Sequence, residues 1–459
     1  MKRFFSATLL AALVAGGSTA QAQTTTFQVG ATTVSMTPLA TNLSIPWELV
    51  WGPDNYIWMT ERGGRISRVN PATGQVLPLL TVADVTQTGE SGLLGMALHP
   101  DFATNPYVYI VYNYTAGGDL KEKLVRYTYS ATANTLTSPL TLLGNITATT
   151  THSGSRLLIL PDRTLLMTTG DAQLQPEAQN AGSLNGKILR LNLDGTVPAN
   201  NPTPGSLVYT LGHRNPQGLV QAPSGKIYSS EHGPNNDDEV NLIEPGRNYG
   251  WPNVEGFCNL PSEQTFCTAN NVREPLRVWT PTIATAGITY YNHPAIPEWN
   301  NSLLMMALKG TRLVHLPLNA AGEAISTENT YVTNIGRLRA ICVSPQGRVF
   351  ISTSNGNNDG LYVLENRAYT PNSTKAGSSA RLSLWPNPAQ GTVTLRLPTA
   401  SAAPVQATVV DALGRVAYAT RFATGQTDLQ LNVAGLTPGL YTVQAQTGAA
   451  YYTQQLVVK

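Results

Sequence analysis

The sequence predicts an all-β protein, a six-bladed β-propeller followed by a small C-terminal β-sandwich, and three observations predict it. The first is a recurring pattern: an apolar strand, a Pro-Asp or Ser-Gly-like turn, a second strand, a loop of variable chemistry, and a third strand. It appears in "LVWGPDNYIWMTERGGRISRVNPATG" (49–74), "LLILPDRTLLMTTGD…NGKILRLNLDG" (157–195), "LVQAPSGKIYSSEHG…DEVNLIEPG" (219–246) and "ICVSPQGRVFISTSNGNNDGLYVLE" (341–365). Weaker copies start near Met96 and Ser302. The second observation is that residues 23–368 contain no long amphipathic helical pattern, only short apolar or alternating runs bounded by Gly, Pro, Asn and Asp. The third is a change of composition after Glu365.

Six copies over about 340 residues give roughly 50–60 residues each, the size of a four-stranded blade with loop insertions. A single blade cannot bury both faces of its sheet. Blades stacked around an axis bury one another and leave a channel mouth lined by loops, where function would sit.

The elements follow in order. Residues 1–22 read as a secretory signal: Lys2 and Arg3, then the apolar "FFSATLLAALVAGG", then small residues before a cleavage point after Ala22. Residues 23–366 form the propeller, and 367–381, within "NRAYTPNSTKAGSSARLS", a polar linker. Residues 382–459 carry seven or so short alternating strands with Gly turns, the pattern of a small sandwich. No later stretch has the length and apolarity of a membrane helix.

Charge narrows the partners. The chain has 29 Lys/Arg and 27 Asp/Glu; residues 369–459 hold six and two, and residues 1–22 two and none. That leaves 21 basic against 25 acidic side chains in the body, with no basic stripe, which argues against nucleic acid. Of three cysteines, Cys258 and Cys267 are placed to close a short-loop disulfide, and Cys342 reads as a buried strand thiol. Neither CxxC nor Cys/His zinc spacing occurs.

Polar chemistry gathers in a few loops. His152 precedes one strand of "HSGSRLLILPDRTLLMTTGD" and Asp171 follows its partner, so a hairpin would bring them to one end of a blade. A carboxylate beside an imidazole fixes its tautomer and raises its basicity, as a general base requires; the alternative is a solvated loop histidine. "LGHRNPQGL" (211–219) clusters His213, Arg214, Asn215 and Gln217, as donors toward an anion or as partners of a neighbouring acid. "SEHGPNNDDEVNLIEPGRNYGWP" (230–252) packs Glu231, Asp237, Asp238, Glu239 and Glu244 together in a chain only 12% charged. A basic cluster, a hard cation held by mixed oxygens, or a solvated acidic turn would each account for it. Arg337 and Arg339, two apart in a strand, share a face and want a common anion; with Lys309 and Arg214 they describe a pocket for a small polyanion.

Eight motifs in order, "GLLGMALHPDF", "HSGSRLLILPDRTLLMTTGD", "NGKILRLNLDGTVPANNP", "YTLGHRNPQGL", "SEHGPNNDDEVNLI", "RNYGWPNV", "ALKGTR" and "RLRAICVSPQGRVF", closely resemble the soluble pyrroloquinoline quinone (PQQ)-dependent sugar dehydrogenases from about Ile45 to Glu365. The resemblance implies a six-bladed propeller that oxidises an aldose at the anomeric carbon to a lactone, with hydride passing to PQQ and electrons leaving to an external quinone or cytochrome. It makes His152 the general base, Asp171 its support and Arg214 the cation over the reacting carbonyl. Glu90, Asn215, Lys309, Arg337 and Arg339 become cofactor contacts. Gly233 and Pro234 match backbone-carbonyl ligands of the Ca²⁺ that clamps PQQ, and Glu239 with the carbonyl of Tyr249 matches a separate structural calcium site.

Two positions depart from the glucose-oxidising members. Glu90 stands in place of a glutamine, which leaves it protonated, metal-linked or turned away, and Thr280 replaces a tryptophan beside the sugar. With the shorter loops around 253–280, these point to the broader-specificity aldose branch. Two other readings compete: a Ca²⁺-dependent propeller lactonase or esterase, and a non-catalytic carbohydrate- or protein-binding propeller. In the tail, "WPNPAQG", "DALGRV", "LTPGLYTV" and "LVVK" resemble the sorting domain of type IX secretion cargo over 381–459. That implies recognition by outer-membrane secretion machinery and a secreted or cell-surface protein.

Overall fold

The computed structural model describes residues 24–370, 382–397, 400–401, 403–411, 416–447 and 450–459. The expected signal segment and most of the expected linker lie outside the described residues. Contacts divide the chain into two units, Met1–Tyr369 and Thr370–Lys459.

Among the described residues the first unit consists of six antiparallel sheets in sequence order. The first is Pro46–Trp51, Ile57–Glu61, Arg65–Val69 and Val76–Thr81. Sheets of four strands then begin with Leu93–Leu98, Gly154–Ile159, Pro216–Gln221 and Thr285–Tyr291. The sixth runs Leu338–Val343, Val349–Thr353 and Asp359–Glu365, and takes its outer strands, Thr32–Leu43 and Thr25–Val29, from the other end of the chain. The opening strand of each sheet packs against that of the next, and Leu338–Val343 packs back against Pro46–Trp51, so the series closes on itself. The apolar cores lie between successive sheets; one joins Leu49, Ile57 and Met59 of the first sheet to Phe350 and Leu361 of the sixth.

A hydroxyl at one repeat position ties four of the six sheets to the next. The opening strands are bulged, for example between Pro46 and Glu48 and between Gly154 and Leu157, which turns a backbone N–H out of the ladder. Thr60 Oγ1 accepts the Glu48 N–H (3.2 Å) and donates to the Leu94 carbonyl of the next sheet (2.6 Å). Thr168 does the same with Arg156 (2.8 Å) and Pro216 (3.0 Å), and Ser352 with Ala340 (3.1 Å) and Pro46 (3.2 Å). The hydroxyl therefore satisfies two buried backbone groups that nothing else reaches.

Closure has its own clasp. Asp359 is buried and accepts from Ile45 N (3.0 Å), Thr353 Oγ1 (2.8 Å), Asn355 N (2.6 Å) and Gly356 N (3.2 Å). It thereby holds Ile45 at φ 50°, a conformation a β-branched residue adopts only when its surroundings impose it.

The disulfide Cys258–Cys267 forms, the second cysteine on the helix Pro261–Ala269, and Cys342 is a buried thiol. The weak repeat copy near Ser302 begins in the second strand of its sheet, Ser302–Ala307; the opening strand Thr285–Tyr291 precedes it. In the second unit, Ser383–Trp385, Thr392–Arg396 and Asp428–Asn432 form one sheet, and Val416–Phe422, Val405–Val410, Gly439–Thr447 and Ala450–Val458 another. Both contribute to one apolar core that includes Val393, Leu395, Val409, Leu431 and Val443. No helix of the described residues is long and apolar enough to cross a membrane.

Replacing Thr60 by the isosteric valine strands the Glu48 N–H and the Leu94 carbonyl together. Urea unfolding is expected to show a loss of about 2 kcal/mol, whereas an exposed threonine such as Thr73 changed in the same way should shift stability by less than about 0.5 kcal/mol.

Candidate active site

His152 and Asp171 meet as the hairpin requires. The strands Gly154–Ile159 and Thr164–Thr169 pair antiparallel, so the residues just outside both ends come together. His152 Nδ1 lies 2.7 Å from Asp171 Oδ1. Gly170 permits the approach, since a Cβ there would overlap the His152 carbonyl. Asp171 is fully buried and fixed on both oxygens: Gln173 N donates to Oδ1 (2.8 Å) and Trp251 Nε1 to Oδ2 (2.8 Å). A carboxylate in this setting accepts the Nδ1–H hydrogen bond of the imidazole, which leaves Nε2 as the free basic atom. The loop that presents the histidine is tightly wound, with His152 at φ 58°, Gly154 at 63° and Ser155 at 75°.

The next two residues, Ser153 and Gly154, enter the wall of a cavity of about 330 Å³ within the ring. Trp47, Arg62, Glu90, Gln217, His232, Arg337 and Arg339 also line it. Three guanidiniums thus face a space that has one carboxylate, Glu90, in its wall. Burial first, and then the like charges of Arg62, Arg156 and Arg337 against the pull of Glu90, push the Arg339 guanidinium down to about 9. Arg62 is lowered as well, by burial and by Arg337, again opposed by Glu90. A guanidinium stays protonated in a protein, so this strain expresses demand for an anion. Glu90 also accepts the backbone N–H of His152 (3.3 Å), which ties the residue preceding Ser153 and Gly154 to the wall of the same cavity.

His232 forms a partition. It lines both this cavity and a second one of about 20 Å³, enclosed by Arg214, Glu231, Gly233, Pro234, Asp237, Glu239, Tyr249, Trp251 and Glu255 among others. Burial lowers its pKa, and its Nε2 donates to the Thr285 carbonyl (2.6 Å), so it is a neutral wall. Arg214 lies along the partition with its guanidinium 5.4 Å from the Trp251 ring centre, and Nη1 donates to the His232 carbonyl (3.2 Å). Asn215 stands behind the first cavity: its Oδ1 accepts Gly154 N (3.1 Å) and Gln217 Nε2 (2.9 Å), while Gln217 Oε1 accepts Arg339 Nη1 (3.3 Å).

Three of the five acids of 230–252 hold backbone. Glu231 accepts from His213 Nδ1 (2.8 Å), Arg214 N and Asn215 N (3.3 Å). Asp238 accepts from Gly233 N (2.9 Å), Ile283 N (2.7 Å) and Ala284 N (2.6 Å). Glu239 takes Gly256 N (3.0 Å) and Asn241 Nδ2 (2.9 Å), yet burial and the nearby Glu231 still push its carboxyl up to about 8. Among the described residues no three His, Cys, Asp or Glu side chains are arranged to hold a metal ion. A cation in the small cavity would therefore draw on backbone carbonyls and on lone pairs these acids have left.

The structure brings Glu90, Arg337 and Arg339 into one wall, to which His152 is tied through its backbone N–H. It gathers Gly233, Pro234, Glu239 and Tyr249 around a single small cavity, where the sequence reading divides them between two calcium sites. Lys309 remains outside both linings, exposed, with Nζ 3.2 Å from Thr282 Oγ1; Leu308 supplies the wall there. Arg62 and His232 are site residues the sequence reading passed over. Arg62 sits in "ERGGR", which looks like an ordinary charged turn, and His232 lies unremarked among the acids.

Residues 43–363 match the family model described as glucose/sorbosone dehydrogenase, and residues 383–459 that of a secretion system C-terminal sorting domain. Quinoprotein glucose dehydrogenase B of Acinetobacter calcoaceticus is 43% identical over 250 residues, 48% of this chain and 52% of that protein, so the match spans about half of each. Aldose sugar dehydrogenase YliI of Escherichia coli K12 is 30% identical over 348 residues, 72% of this chain and 93% of that protein. The solved PQQ-bound aldose sugar dehydrogenase of Streptomyces coelicolor is 33% identical, with a TM-score of 0.64 over 72% of this chain and 98% of its own. The chain thus belongs to the glucose/sorbosone dehydrogenase family of oxidoreductases, with a secretion sorting domain at its C-terminus.

Proposed function

We propose that residues 23–366 form a six-bladed propeller that oxidises aldoses to lactones with PQQ and Ca²⁺, and that 382–459 form a sandwich that directs export. One observation carries the reading: a histidine whose imidazole is held by a buried carboxylate is bonded through its backbone to Glu90, in the wall of a cavity that three guanidiniums line. The cavity suits a flat polyanion in charge and in size, since small-molecule pockets start near about 300 Å³. Arg62 Nε, in its wall, is a buried nitrogen without a hydrogen-bond partner, as are Arg214 Nε at the small cavity and Asn215 Nδ2. The small neighbouring cavity has room for one water-sized species, and its crowded carboxyls favour a cation there.

PQQ, when bound, supplies the two-electron acceptor for the hydride of the anomeric carbon. The chain supplies the rest. Asp171 keeps the Nδ1 proton in place, so that Nε2 of His152 takes the proton of the anomeric hydroxyl. Arg62, Arg337 and Arg339 bind and orient carboxylates of the cofactor. Arg214, stacked on Trp251, is a fixed positive charge that needs no rearrangement during reaction. Glu90 reduces the excess positive charge of the wall and steadies the His152 backbone. Electrons then pass to an external quinone or cytochrome. Hydrolysis of a lactone or ester would leave the three guanidiniums without a partner, which ranks that reading lower.

His152→Ala should cut kcat by about three orders of magnitude while a PQQ titration followed by absorption remains saturable; full turnover in this variant would refute the base assignment. Arg337→Met, which removes an exposed cavity charge, is expected to raise the Kd for PQQ about tenfold with little change in melting temperature. Stripping calcium with a chelator should lower the melting temperature, and adding Ca²⁺ back should restore it; no response to either would exclude a structural cation.

A further inference from the structure

Glu122 is buried in the third strand of the second sheet, Asp119–Ser130, with 2% of its surface exposed. The proposed chemistry does not use it. Its Oε2 lies 2.9 Å from Ser155 Oγ, and Ser155 Oγ lies 3.0 Å from the Ser153 carbonyl. The Ser155 hydroxyl has one hydrogen and faces two acceptors. If Glu122 is ionised, one of the two goes without. If Glu122 carries a proton on Oε2, it donates to Ser155 Oγ and Ser155 donates to the Ser153 carbonyl, so both contacts of the hydroxyl are hydrogen bonds.

The surroundings favour the neutral acid. Asn113 faces Glu122 from the strand Tyr107–Ala116, Ile146 from Thr135–Thr147, and Ser155 from Gly154–Ile159. Lys121 and Lys123 alternate to the other face of the strand and pair with Asp119 (3.8 Å) and Asp84 (2.7 Å). Arg156, beside Ser155, is bound to Glu48 and to the Gln217 carbonyl (2.9 Å). No cation among the described residues therefore answers Glu122. Its Oε1 lacks a well-formed hydrogen bond, with Asn113 the remaining donor group acting on it. Burial pushes this carboxyl up to about 8, against the weaker opposing effects of Ser155 and Asn113.

The geometry points to Glu122 as a positioning residue that acts as a neutral hydrogen-bond donor, locking the left-handed turn 152–155 that presents His152. The proton chain runs from Glu122 through Ser155 to the carbonyl of Ser153, the residue next to the histidine. Loss of that proton turns the Ser155 hydrogen to the carboxylate and frees the Ser153 carbonyl. Turnover then falls as His152 shifts, although Glu122 touches no reacting atom.

This inference rests on His152 as base only in its activity arm; the stability arm needs neither cofactor nor sugar. The sign follows from linkage. A glutamate in the unfolded chain titrates near its ordinary 4.5, and this one near 8, so between those values the folded state keeps a proton the unfolded state has lost. Its contribution to stability is complete below the lower value and is lost as pH rises to the upper one.

Glu122→Gln supplies the same neutral donor without titrating. In apo-protein, the melting temperature of E122Q relative to wild type should climb from about pH 5 to about pH 8 and then level off. In the reconstituted enzyme, wild-type kcat should fall above about pH 8 while that of E122Q does not, and Glu122→Leu, which cannot donate, should lose about tenfold or more at all pH. A melting difference that does not change with pH, or an E122Q enzyme as impaired as E122L, overturns the proposal. If E122L fails to fold, the E122Q arms decide alone.

Discussion

Closure of the series of sheets is the constraint on which the rest depends. Each sheet of the first unit is apolar on both faces, so it is stable only between two neighbours. The sixth sheet meets the first through Asp359, which takes Ile45 N on one side and its own hairpin donors on the other. Chain ends more than 300 residues apart are thereby joined, with Thr32–Leu43 laid along Asp359–Glu365. Once closed, the opening strands surround a common interior, and the loops before them have one direction in which to converge. Residues as distant as Arg62, His152, Gln217 and Arg339 become neighbours for that reason alone.

Electrostatics divides that interior. Arg62, Arg337 and Arg339 collect on one side of His232 with Glu90 alone among them, Glu231, Asp237, Glu239 and Glu255 collect on the other with Arg214, and the partition itself is uncharged. Opposite charges at this range would neutralise each other if they were free to meet. They are prevented because Glu231 and Asp238 are committed to backbone N–H groups and Arg339 to Ser354 (3.2 Å) and Gln217 (3.3 Å). Two oppositely charged cavities can persist side by side only where local hydrogen bonds outcompete direct pairing.

Much of this was legible in the sequence because the repeat is local. The Ser or Thr next to the end of four of the second strands is visible at Thr60, Thr168, Ser230 and Ser352, and the His152–Asp171 pairing follows from a hairpin. The closing strands were not legible: "TTFQV" and "TTVSMTPLATNL" look like any alternating run, and nothing local names a partner near residue 360. The opening strand "TAGITYY" escaped notice because it is small and polar at its start, where Gly287 lies against the Arg339 carbonyl of the adjoining strand. Glu122 was hidden for another reason. In "LKEKL" it reads as one more exposed charge, and only three-dimensional pairing shows that the lysines face out and the glutamate faces in.

The hydrogen bonds behind the two cavities form one connected set. Arg339 reaches Gln217, Gln217 reaches Asn215, and Asn215 holds Gly154, two residues from His152. His152 in turn meets Asp171, which Trp251 fixes, and Trp251 carries Arg214 on its face. The guanidinium of Arg339 and the imidazole of His152 are therefore joined through one hydrogen-bonded set and cannot relax independently. An anion that draws Arg339 forward pulls on the same chain of amides that orients the imidazole. The energies of such groups will not add. In this protein, the placing of Arg339 and the placing of His152 are one mechanical problem, solved by a row of buried amides.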